Sequence, residues 1–100
     1  MYTRGTYHNL NELQIIEAIN KEGFDPLRLS DPPGTVYESH RHQETKLLVF
    51  LQGTMEVKVA NEIFQCTPGD KLLIAGGVKH SAKVGQDGCV FFWSEKIISP

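Results

Sequence analysis

A chain of 100 residues with 40% apolar and 22% charged side chains has the composition of one small globular domain, not of a disordered segment. Ten Lys and Arg against twelve Asp and Glu leave a formal charge of -2 and no basic stripe, which argues against a surface that tracks nucleic-acid phosphates. The longest uncharged run, Leu47 to Met55, is far shorter than the ~18 residues of a membrane span, so no membrane partner is expected.

The opening stretch MYTRGTYHNLNE is polar and mixed, without an apolar signal segment. Cys66 and Cys89 are too few for a disulfide scaffold, so a cytoplasmic location is expected, with both thiols packed as small hydrophobes. The first element runs from about Asn9 to Glu22. Asn9 and Glu12 have capping-box spacing, and Leu10, Leu13, Ile16 and Ile19 recur every three residues, with Ile15 widening the stripe. Gly23 supplies the stop. His8, just before this helix, reads as an exposed bystander.

From Phe24 the period drops to two. Phe24 to Ser30 alternates imperfectly and ends in the turn cluster Asp31-Pro32-Pro33-Gly34. Met55 to Val59 alternates apolar against charged, as a strand with one wet face does. Thr67 to Asp70 is a second turn before the strand Lys71 to Ile74, and Lys79 to Val84 alternates again. Gly85-Gln86-Asp87-Gly88 reads as a turn before the apolar strand Cys89 to Trp93. Short strands punctuated by Gly and Pro predict an all-β sandwich or barrel rather than βαβ units. The expectation is one domain over 1–100, with a helix over about 9–22 and a barrel over about 24–98. The contiguous apolar run ending at Trp93 must be covered on both faces, by the helix outside or by a second subunit. A homodimer is the assembly it suggests.

His40-Arg41-His42 sets two imidazoles two residues apart, which on a strand points both to one face. His80 offers a third from a different strand. Three neutral imidazoles leave open positions on a divalent ion, as reactive metal sites require. Their surroundings are patterned: Gly34, five residues, His40-Arg41-His42, three residues, Lys46, six residues, Gly53. Then come Gly69, five residues, Ala75-Gly76-Gly77, two residues, His80, three residues, Val84. These two stretches resemble the paired motifs of the cupin superfamily, and with the segment between them they span half the chain.

The resemblance implies a double-stranded β-helix, or jelly-roll, barrel with a metal ion held by His40, His42 and His80; zinc, nickel and iron all suit this donor set. Three positions depart from the family pattern. Ala75 replaces a proline, Val84 replaces an asparagine that is not usually a ligand, and Lys46 stands where the family has a glutamate ligand. An ammonium has no lone pair and repels a cation, so Lys46 cannot substitute for that glutamate. It could turn away, lose its proton and act as a catalytic amine, or favour a small anionic molecule on the metal. Glu38 and Glu44 share parity with the histidines and are candidates to compensate its charge. Leu48 and Phe50, with Val57, Val59, Val78 and Ala82, are expected to line an apolar pocket below the histidines. Three functions fit: a metal-dependent enzyme of dioxygenase type, a metal-free isomerase using His and Lys, and a non-catalytic barrel that binds or senses a small ligand.

Overall fold

The computed structural model describes residues 1–97; residue 98, the expected limit of the barrel, lies outside them. The elements in chain order are β1 (Tyr2–Thr3), α1 (Glu12–Lys21), β2 (Phe24–Asp31), β3 (Val36–His40), β4 (Lys46–Val59), β5 (Glu62–Cys66), β6 (Lys71–Ile74) and β7 (His80–Lys96). All strand pairings are antiparallel.

Two long strands organise the fold. β4 and β7 pair with each other from Lys46↔Glu95 to Val59↔His80. The first part of β4 also pairs with β6 and its last part with β5, while β7 pairs first with β3 and then with β2. One sheet therefore runs β1-β6-β4-β7-β2, the other β5-β4-β7-β3, and both central strands belong to both. This is the jelly-roll arrangement expected from the sequence.

The strands change sheets at a shared bend. Gly53 has φ +71°, and the register jumps from Gly53↔Cys89 to Met55↔Val84. Residues Gly85 to Gly88 thus form a bulge inside the continuous strand β7, not the chain-reversing turn that their composition suggested. Pro26, which has no N–H to donate, sits on the edge strand β2, where the omission is tolerated.

Alternation along β4 divides the core in two. Leu48, Phe50, Met55 and Val57 point into the barrel beside Leu72, Ile74 and Phe91. Leu47 and Val49 point outward and pack with Phe92 under α1, against Ile15 and Ile19. The apolar run ending at Trp93 is thereby covered within the chain, with Phe92 under the helix and Phe91 and Trp93 inside the barrel, so it gives no reason for a second subunit.

The helix differs in register from its expected form. Asn9 has φ +75°, a left-handed conformation unlike the extended backbone of an N-cap. Asn11 caps instead, and the reciprocal bonds of the capping box join Asn11 and Gln14. Starting at Glu12, the helix buries Ile15 and Ile19, with Ile16 and Ala18 partly buried beside them, and leaves Leu10 and Leu13 exposed.

The N-terminal arm is tied to the barrel by one buried carboxylate. Asp70 accepts from the Tyr2 hydroxyl at 2.6 Å, the Gly5 amide at 2.9 Å, and the Thr67 amide and hydroxyl at 2.8 and 3.1 Å. Burial would raise this carboxyl, but the bonds from Tyr2, Thr67 and Gly5 outweigh it and hold it below the ordinary carboxylate range. A depressed carboxyl stabilises the fold above its unfolded pKa, and that contribution is lost as pH falls through the lower folded value. Asp70→Ala is therefore expected to cost about 2–4 kcal/mol near neutral pH. In thermal melts the gap between the two proteins should narrow as pH falls below the ordinary carboxylate range; a gap independent of pH would show that the charge contributes nothing.

Candidate metal centre

Strand register brings the histidines together. His40, the last residue of β3, lies directly across from His80, the first residue of β7. β3 ends there, so His42 sits in the following loop rather than on the strand. Its carbonyl accepts from the Gly77 amide at 2.6 Å, and this bond pins the loop against the turn that precedes His80. Ring centroids are 4.4 Å apart for His40 and His80, 4.8 Å for His40 and His42, and 5.3 Å for His42 and His80. One nitrogen from each ring lies within 4.8 Å of the others.

The ring hydrogen bonds define which nitrogens are free. The Nδ1 atoms of His40 and His80 face the backbone carbonyls of Glu38 and Val78 and donate to them as Nδ1–H. That tautomer leaves the Nε2 lone pairs unused. Among the described residues, the Nε2 atoms of His42 and His80 are buried with no hydrogen-bond partner. Burial lowers the pKa of His42, reinforced by His40 and Lys46 and opposed by Glu44 and Glu95. Burial also lowers that of His80, against the bond to Val78. Neutral imidazoles with orphaned lone pairs fit a bound divalent ion.

Lys46 is 4% exposed at the start of β4. Its ammonium donates to Glu95 Oε1 at 2.7 Å, lies 4.0 Å from Glu44 Oε2, and sits 5.6 Å from the Trp93 ring centroid. His42 meets the same Trp93 ring edge-on, also at 5.6 Å. Hydrogen bonding from Lys46 holds the Glu95 carboxyl below its ordinary value. Glu95, cross-strand neighbour of Lys46, is the residue that sequence reasoning missed; its parity with Phe91 and Trp93 was the available signal. Glu44 is an exposed carboxylate at longer range, and Glu38 is exposed and contributes only its backbone carbonyl.

Beside the histidines lies a cavity of about 380 Å³. Leu48, Val57 and Ala82 line it as expected, but Phe50, Val59 and Val78 do not. Met55, Ile74, Phe91 and Trp93 take their place, and Leu27, Leu29 and Tyr37 close the side formed by β2 and β3. Lys46 and Glu95 are not among the lining residues.

An antiparallel jelly roll with a histidine triad against its interior cavity defines a cupin barrel. More particularly, the chain belongs to the AraC-like ligand binding domain family, whose model matches residues 27–95. No curated protein matches the chain in sequence. Among solved structures, an RmlC-like cupin from Shewanella frigidimarina is 18% identical, with a TM-score of 0.68 over 76% of this chain and 68% of its own. KdgF from a Halomonas species is 20% identical, with a TM-score of 0.66 over 77% and 72% of the two chains. Oxalate decarboxylase from Bacillus subtilis is 21% identical, with a TM-score of 0.67 over 75% of this chain but only 21% of its own. At these identities the likeness is one of fold. Among the described residues no helix is long and apolar enough to cross a membrane.

Proposed function

We propose that this chain is a metal-binding cupin that takes a small anionic compound at an ion held by His40, His42 and His80. The observation that carries the reading is the pair of buried, unpartnered Nε2 atoms converging beside an apolar cavity. The Mn(II) centers of Bacillus subtilis oxalate decarboxylase, a neighbour in fold, support it. Bound there, a divalent ion would supply a Lewis acid with open positions for a ligand oxygen. The chain's own residues hold the three imidazoles in the ligating tautomer and surround the open side with carbon. Zinc, nickel and iron all suit the donor set. A cytoplasmic setting accords with two buried free thiols.

Membership of a ligand-binding family favours a second reading, in which the same site binds and senses its ligand without turning it over. Elemental analysis of tag-free protein tests the metal that both readings share. Turnover by wild type that is lost in His80→Ala distinguishes the enzyme from the sensor.

The role proposed for Lys46 is electrostatic. Its ion pair with Glu95 leaves no lone pair for metal or substrate, yet its charge lies within reach of His42. Lys46→Glu removes this repulsion and sets a new carboxylate against Glu95, a like-charge pair that a cation relieves. Metal affinity is expected to rise at least about tenfold, equivalent to ~1.4 kcal/mol. Affinity for small carboxylates is expected to fall in the same variant. Calorimetric titration of metal and then of 2-oxo acids checks both; no change in either would remove Lys46 from the site.

A further inference from the structure

We infer that the ligand of this barrel is a compact acid with an apolar body, aryl or branched alkyl, and not a sugar or other polyhydroxylated compound. The inference rests on the metal-binding reading and specifies what lies beyond the metal-bound head of the ligand. At about 380 Å³ the cavity is at the small end of the ~300–1,000 Å³ usual for small-molecule sites. Its walls are carbon: Leu29, Leu48, Met55, Val57, Phe91 and Trp93 are drawn from β2, β4 and β7.

Polar groups able to meet a ligand are few. Besides the histidines, the described lining offers the Trp93 indole N–H and the Tyr37 hydroxyl, whose proton is already donated to Asp31 Oδ2. Lys46 and Glu95 are paired with each other away from the lining. A sugar acid carries several hydroxyls, each of which exchanges water for a partner when buried. In this cavity one could donate to the Tyr37 oxygen and one accept from the Trp93 N–H, and the others would meet Leu, Met, Val and aromatic carbon. Buried hydroxyls without partners lose affinity, whereas an apolar body gains it against the same walls. The charged head is met at the histidine end, so the site fits one acidic or enolate group on a hydrocarbon frame.

Phenylpyruvate and 2-ketogluconate test this, because both present a 2-oxo acid head and they differ in the body. Metal binding is titrated first on its own. Each acid is then titrated into metal-loaded and metal-free wild type, and into Leu29→Asn and Leu27→Asn. Leu29 is half-buried in the wall, and Leu27 is 59% exposed at the rim, so that variant keeps its fold. Phenylpyruvate is expected to bind metal-loaded wild type at least about tenfold more tightly than 2-ketogluconate. That advantage should shrink in Leu29→Asn and, more modestly, in Leu27→Asn. Equal or tighter binding of 2-ketogluconate, or binding of neither acid to metal-loaded protein, overturns the inference while leaving the metal reading intact. Preference for phenylpyruvate in a protein that binds no metal does the reverse.

Discussion

His80→Ala is expected to lose stoichiometric metal while remaining folded. Removing one of three imidazoles leaves two protein donors, and the loss should exceed the ~10–100-fold typical of merely disturbing a ligand's outer partner. His40→Ala and His42→Ala should behave alike, since the three rings form one cluster with centroid separations between 4.4 and 5.3 Å. The fold should survive because these side chains border a cavity rather than fill the packed interior centred on Phe50 and Phe91. His8, exposed outside the barrel, serves as the control, and His8→Ala should retain full metal content. Metal content measured by plasma emission, with circular dichroism on the same samples, checks the set. Stoichiometric metal persisting in all three cluster variants would refute the site.

Gly53→Ala is expected to destabilise the fold severely. A methyl group at this position would lie 2.0 Å from the Gly88 oxygen, 2.8 Å from the Gly88 carbonyl carbon and 3.1 Å from Cys89 Cα, all backbone atoms that cannot rotate away. To the left-handed φ of +71° is thus added a collision between the two strands that carry both sheets. We expect a loss of about 3–5 kcal/mol, a large share of the ~5–15 kcal/mol that stabilises such a domain. The midpoint of thermal unfolding should fall by roughly 15–30 °C. Gly34, at the other end of the same sequence motif, has φ +78° but open space where its methyl would go. Gly34→Ala should therefore cost only the conformational term, about 1–2 kcal/mol. Equal losses in the two variants would rule out the bend as the cause.

The sequence made the barrel legible because alternation and turn chemistry are local signals. They placed β2, the second half of β4 and β6, and the spacing around Gly34, Gly53 and Gly69 tied them to a known architecture. Local signals failed where two interpretations share one composition. Asn9 and Asn11 each stand three residues before a Glu or Gln, and only the left-handed backbone of Asn9 decides between them. Gly85 to Gly88 has the chemistry of a turn, and only its pairing partner, itself bending at Gly53, makes it a bulge. The histidines were legible from spacing and Lys46 from the residue it replaces. Glu95 was not: parity could place it on the same face as Phe91 and Trp93, but its pairing with Lys46 is a cross-strand relation over 49 positions that no local pattern records. Cavity walls followed parity where strands are regular, as at Leu48 and Val57, and departed from it at Phe50, beside a register shift in β4, at Val59, where β4 ends, and at Val78, before β7 begins.

The place of β7 in both sheets bears on how the chain acquires its structure during synthesis. β2, β3 and β4 all depend on β7 for pairing, yet β7 follows every one of them in chain order. Until residues 80 to 96 have left the ribosome, β2 and β3 have no strand to pair with and β4 keeps only β5 and β6. Non-local pairing of this kind makes folding slow and leaves apolar strands open to association with other chains in the meantime. The nascent protein should accordingly need protection for these strands until β7 emerges.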